Sequence, residues 1–320
     1  MHAYTRLEKM LWRTTHFLKH PLKYIQIHEQ LLLFKRIMSC FYHYTNFDTF
    51  FNMLTHSIIV DKDTQAQYLE FWATWICAMN DTAERDLYIG ELLKRVKQYA
   101  KDKNAPLTAE QESILQRQIS MLDEIYVISL SGPTSVDNID MWRAYGGNGT
   151  GICIGIDFSQ VPQIISTNDK NVYQMETSYS VKQCQYCMPD KIKINKGLIE
   201  KAYNYLVNSH DKNDCESAVK KAGIIKQITE QAAYYKHPAY KSENEWRIIT
   251  FSCGDEVLFR KQGNAIKPYI KINIPLSAIS SIMIGPCIKN AGETDCVVRM
   301  IKRIIGPNIS ILYSKIPYRG

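Results

Sequence analysis

The chain has 320 residues, 45% of them hydrophobic and 22% charged, and carries a formal net charge of +7. That length allows one elaborated domain or two intimately packed ones, and the composition is that of an ordinary globular chain rather than a disordered one. Apolar runs such as Leu31–Phe34 and Ile282–Ile284 fall far short of the roughly 20 residues a membrane helix needs. The N-terminus, with Arg6, Glu8, Lys9 and Arg13 among its apolar residues, lacks the apolar region of a secretory signal. A cytoplasmic protein with no membrane partner is expected.

Nine cysteines, odd in number and scattered through apolar stretches, suit reduced thiols that pack as small hydrophobes. The one Cys-x-x-Cys, at Cys184 and Cys187, has no second pair and no spaced histidines, so no metal site is expected. Charge is uneven: from Lys241 to Gly320 there are twelve Lys or Arg against six Asp or Glu. This suits an anionic ligand such as a dinucleotide or a nucleic-acid backbone, or simply a solvated face.

In chain order, residues 1–40 read as helical, with Pro21 opening the second of two helices. A strand over Phe41–Thr45 follows, then a short helix from Asn46 or Asp48 to Leu54 and a strand at Ile58–Val60. Asp81-Thr82-Ala83-Glu84 is a capping-box-like start for a helix to about Lys101, and a further helix spans about Thr108 to Leu122. Strands at Ile125–Ser131 and Gly151–Asp157 flank a helical turn over Asp140–Ala144. Helices near Lys191–Val207 and Asp214–Tyr235 precede strands at Glu245–Phe251, Val257–Arg260, Tyr269–Ile274, Ile279–Ile284 and Ile309–Tyr313. The mixture predicts an α+β fold with a bent or split mixed sheet. Its expected organisation is an N-terminal helical elaboration over 1–40 and one body over 41–320, with helical insertions at about 81–122 and 191–236.

Four segments carry polar or aromatic groups where a structural sequence would place aliphatics: Tyr42-His43-Tyr44-Thr45, Met79-Asn80-Asp81, Met141-Trp142-Arg143-Ala144-Tyr145 and Glu243-Asn244-Glu245-Trp246-Arg247. Strand alternation puts His43 and Thr45 on one face and Tyr42 and Tyr44 on the other. It likewise puts Glu245 and Arg247 together, either as a structural ion pair or as an oriented carboxylate. Trp142 and Tyr145, three apart on a helical turn, share a face and offer flat surfaces for a ring, or else anchor a core. The glycine run Gly146–Gly151 fits neither phosphate-binding pattern.

In this order, the motifs resemble the bacterial DUF2971 family over about residues 41 to 286, although the Asn80-Asp81 pair lacks the proline usual after it. A looser resemblance is to ADP-ribosyltransferase-like enzymes with a His-Tyr-Glu triad, matched here by His43, Tyr145 and Glu245. That resemblance implies NAD as substrate: His43 on the ribose, Tyr145 on the nicotinamide, Glu245 stabilising a ribosyl cation, and Arg247 at the pyrophosphate. It also implies that Tyr44, Thr45, Asn80 and Trp142 line the NAD site. The expected activity is ADP-ribosyl transfer or NAD hydrolysis toward a protein or nucleic-acid acceptor, as in toxins and antiphage effectors. The competing expectations are a nucleic-acid-binding protein or nuclease using the basic C-terminal face, and a non-enzymatic nucleotide sensor.

Overall fold

The structure, a computed structural model, describes residues 40–79, 84–121, 125–161, 180–207, 215–252, 257–288 and 290–319. The expected N-terminal helices and Asn80 lie outside these residues, as does the start of the helix at 81. The described chain runs β1 (Cys40–Thr45), α1 (Phe47–His56), β2 (Ile58–Val60), β3 (Gln67–Trp75), α2 (Glu84–Asp102), α3 (Ala109–Met121) and β4 (Ile125–Ser131). It continues through α4 (Ile139–Ala144), β5 (Ile152–Asp157), β6 (Ser180–Gln183), β7 (Gln185–Tyr186), α5 (Lys196–Val207), α6 (Cys215–Ala232) and β8 (Tyr235–Lys236). Last come β9 (Glu245–Phe251), β10 (Leu258–Gln262), β11 (Ala265–Pro275), β12 (Ile279–Ile284), α7 (Ala291–Ile304) and β13 (Ser310–Tyr313).

Eleven strands form one branched, mixed sheet, in the order β10-β11-β3-β4-β1-β5-β12-β13, with β2, β9 and β6 attached beside it. The parallel element in this sheet is β12–β13, which α7 connects; β7 and β8 form a separate parallel pair. The branch lies at β4. Along one edge it pairs with β9 for its whole length, from Ile125↔Phe251 to Ser131↔Glu245. Along the other it is shared: Tyr126 and Val127 pair with β3, and Ser131 pairs with Tyr42 of β1. The expected split α+β sheet is therefore present.

Strand alternation gives this sheet two very different faces. The face carrying Phe71, Ile128, Leu130, Ile154, Ile248, Ile272 and Ile282 is the main core, closed by Phe50 and Leu54 of α1 and Val297 and Ile301 of α7. Burying each such side chain contributes about 1.5–3 kcal/mol, so this face anchors the fold. Helix α1 starts where Asn46 accepts a hydrogen bond from the Thr49 amide at 2.7 Å. Helices α2, α5 and α6 build their own cluster around Leu92, Ala202 and Ile228. On the second face of the sheet, two smaller apolar clusters flank the middle. One joins Val127 and Ile249 to Ala233 and Tyr234, and the other joins Tyr44 and Cys153 to Met141, Trp142 and Met283.

Candidate functional site

Between those two clusters the second face is polar. Cross-strand register puts Tyr42, Ser131 and Glu245 side by side, and Ser129 beside Arg247. Glu245 is 1% exposed and Arg247 is fully enclosed. The guanidinium donates to Glu245 through both edges of its fork, Nε to Oε1 at 2.8 Å and Nη2 to Oε2 at 3.1 Å. Its Nη1 donates to the Ala233 carbonyl at 2.6 Å.

Lys236, on the short strand β8, is also buried, and its ammonium bridges two carboxylates. It donates to Glu243 Oε2 at 2.5 Å and to Glu245 Oε2 at 2.8 Å. Two carboxylates and two cations thus balance, as buried charges must. Burial by itself raises the Glu245 carboxyl, but Arg247 and Lys236 outweigh it and pull its pKa down to about 2. Glu245 is therefore ionised at neutral pH.

Local backbone explains why both glutamates reach one lysine. Residues 238–243 form a 3-10 turn after Pro238, and Asn244 takes a left-handed conformation (φ 44°), so the chain turns sharply between Glu243 and the start of β9. Tyr186 and the backbone hold this corner: the Glu245 amide donates to the Tyr186 hydroxyl at 2.7 Å, and the Cys184 amide to the Glu245 carbonyl at 2.9 Å. Cys184 and Cys187 thus flank the strand that braces the cluster. Among the described residues, no group of three or more His, Cys, Asp or Glu is placed to hold a metal ion.

The cluster opens toward the surface at Tyr145. This residue caps α4, is half-buried, and donates its hydroxyl to Glu243 Oε1 at 3.2 Å. Burial and then the neighbouring Glu243 and Glu245 carboxylates push the Tyr145 phenol well above its ordinary range, so it stays a donor. Tyr42, also half-buried, packs on the same apolar cluster as Tyr145. Burial, with Cys40 and Cys153 adding to it, raises Tyr42 to about 12. The Ser129 and Ser131 hydroxyls nearby are enclosed without a hydrogen-bond partner among the described residues.

Several expected site residues are placed elsewhere. His43 alternates away from Tyr42 and therefore lies on the core face, opposite to Glu245. Its ring packs edge-on against Phe71 at 5.4 Å, and Nδ1 donates to the Ser129 carbonyl at 3.1 Å. The reason lies in the fork of the sheet: Ser129 falls between the stretch of β4 paired with β3 and the residue paired with β1, and the imidazole satisfies its carbonyl. Burial lowers the His43 pKa against that hydrogen bond, and Arg260 lowers it further, which keeps the ring neutral. The expected convergence of His43, Tyr145 and Glu245 is thus corrected: Tyr145 and Glu245 share the cluster, and His43 does not.

Trp142, Tyr44 and Thr45 are corrected in the same way, because all three are buried. Trp142 is fully enclosed, stands edge-on to Tyr44 at 4.8 Å, and donates Nε1 to Asp137 at 2.8 Å. Tyr44 donates to the Val136 carbonyl at 2.6 Å. They form a core and offer no stacking wall. Arg247 is likewise too enclosed to meet a pyrophosphate. The glycine run spends its amides internally, with Gly149 and Gly151 donating to the Gly146 carbonyl. A Cβ at Gly151 would collide with the Thr45 backbone oxygen.

Sequence reasoning missed Lys236, and gave Glu243 and Tyr42 no role although both stand in the singled-out segments. The Glu-x-Glu spacing of 243 and 245 and the alternation of Tyr42 against His43 were signals for two of them; a buried lysine in Tyr234-Tyr235-Lys236-His237 gives none. Residues 141–248 match the family model described as "Protein of unknown function (DUF2971)". That stretch is narrower than the expected 41–286, and it contains Tyr145, Lys236, Glu243, Glu245 and Arg247 but not His43. No curated protein and no solved structure matches the chain.

Proposed function

We propose that the polar seam is the reaction site of an enzyme that cleaves the N-glycosidic bond of NAD, with Glu243 and Tyr145 as the groups facing substrate. The observation that carries this reading is the division of labour on Lys236: one ammonium holds two carboxylates, of which Glu245 is sealed while Glu243 reaches the half-open Tyr145.

In such a reaction the electron pair of the glycosidic bond leaves with nicotinamide, whose ring becomes neutral, and positive charge develops on the ribose. A preorganised carboxylate stabilises that charge where water is excluded. Glu243 fills this role, and the Tyr145 hydroxyl and Lys236 keep it oriented. Water or an acceptor nucleophile then takes the anomeric carbon and gives up its proton to Glu243. Glu245 and Arg247 act beneath as support, since neither meets solvent. Tyr42 and Tyr145 supply the aromatic surface at the mouth. The basic bias of residues 241–320 draws in an anionic dinucleotide.

Incubating the purified chain with NAD and resolving the products chromatographically tests the reading. Release of free nicotinamide supports it. Saturable NAD binding with no nicotinamide released would instead identify a nucleotide sensor, a reading favoured by the full neutralisation of the four buried charges.

A further inference from the structure

At the far end of the sheet, the same face carries a pair of cations with no carboxylate partner among the described residues. Arg260 of β10 and Lys267 of β11 are direct cross-strand partners. Like charges so placed repel, and sheets normally avoid the arrangement. Neither side chain meets a carboxylate among the described residues. Glu70, on the same face, is occupied: it accepts Trp72 Nε1 at 3.0 Å and pairs with Lys271 at 3.0 Å.

The guanidinium is nevertheless held in place. Its Nη2 donates to Thr74 Oγ1 at 2.8 Å. It lies 5.5 Å from the Trp72 ring and 5.8 Å from Tyr269, and these two rings pack 4.5 Å apart. Its Nε is enclosed with no hydrogen-bond partner among the described residues. Burial and the neighbouring Arg260 both lower the Lys267 pKa, which is the cost of leaving the pair unanswered. A guanidinium fixed in place beside a second cation suits a phosphate ester, which takes hydrogen bonds from arginine and a point charge from lysine. β10 ends the sheet, so one flank of the pair is an edge.

We propose that Arg260 and Lys267 form a binding site for a phosphate ester, supplied by a free nucleotide or by the backbone of a single-stranded nucleic acid. The site is independent of the seam around Glu243. The test is fluorescence anisotropy of the whole chain with a labelled single-stranded 12-nucleotide DNA, with AMP as competitor, at 50 and 200 mM salt. Binding of the strand that weakens with salt, and that falls about tenfold or more in Arg260→Gln and in Lys267→Gln, is the expected result.

Competition by AMP at equal nucleotide concentration assigns the site to free nucleotides, and competition by unlabelled strand alone assigns it to the nucleic acid. Arg260→Lys keeps the charge and loses the fork, so it should retain only part of the affinity. Thermal melting controls for folding, and Lys267→Gln, which removes the repulsion, should leave the midpoint unchanged or raise it. Unchanged affinity in both folded glutamine variants, or no binding of either probe at 50 mM salt, overturns the proposal.

Discussion

Lys236 and Glu245 stand 2.8 Å apart with side chains only 3% and 2% exposed, so each depends on the other for compensation. Glu245→Gln leaves Arg247 and Lys236 short of a counter-charge in a sealed site. The expected loss is about 3–5 kcal/mol of unfolding free energy at pH 7, read by denaturant titration. The folded pKa of about 2 lies below the ordinary carboxylate value, so this contribution is complete above about pH 4.5 and is lost as pH falls toward 2. The gap between wild type and variant should therefore narrow through that window. A gap that is constant from pH 7 to pH 2 would contradict the ion-pair account.

His43 makes the opposite use of a titratable group. Its folded pKa is lowered, so the neutral ring contributes stability above the ordinary histidine value near 6.5, and protonation of the unfolded chain erodes that as pH falls below it. His43→Asn keeps a donor for Ser129 and should flatten this limb in thermal melts at pH 7 and pH 5. Nicotinamide release per folded molecule should be unaffected, whereas a loss of turnover with intact folding would return His43 to the reaction.

Trp142→Ala should cost about 3–5 kcal/mol, because a fully enclosed indole, its Tyr44 contact and its bond to Asp137 all disappear. Asp137 also accepts from Ser314 Oγ and the Lys315 amide, each at 2.8 Å. Loss of Trp142 should therefore loosen the C-terminal tail, seen as faster proteolysis beyond Tyr313. A stably folded variant with weakened NAD affinity would restore Trp142 as a ligand wall.

Tyr145→Phe removes only the hydroxyl that points at Glu243. On a half-buried side chain this should cost at most about 1.5 kcal/mol of stability. Turnover should fall about 10- to 100-fold through loss of the orienting hydrogen bond. Melting and initial-rate measurements on the same preparation separate the two effects, and an unchanged rate would remove Tyr145 from the site.

Much of the frame was legible because it follows from periodicity. β9 and β12 match their expected bounds, and α4 with its glycine turn falls where the pattern changes. β3 was not expected, although Leu69, Phe71, Ala73 and Trp75 alternate; Glu70 and Trp72 on its other face obscured the pattern. Helix α7 was also missed, although Val297, Met300, Ile301 and Ile304 recur at helical spacing. For the site, the sequence carried the partnership of Glu245 with Arg247 and the nearness of Tyr145. It could not carry the fork at β4, which turns His43 into a structural plug, nor the buried Lys236 that ties the two glutamates. The fork depends on register between strands far apart in sequence, which local pattern does not encode; the lysine reaches both glutamates only because the chain turns sharply at Asn244, a left-handed residue that periodicity does not reveal.

The most direct test of the central claim is the rate of nicotinamide release from NAD by Glu243→Gln beside wild type. Lys236 retains Glu245 as its partner in this variant, so folding should survive, as far-UV circular dichroism and melting can verify. The account predicts active wild type and a fall on the order of 10² to 10³ in the folded variant, the scale for removing one preorganised electrostatic group. Equal rates in the two folded proteins would contradict it.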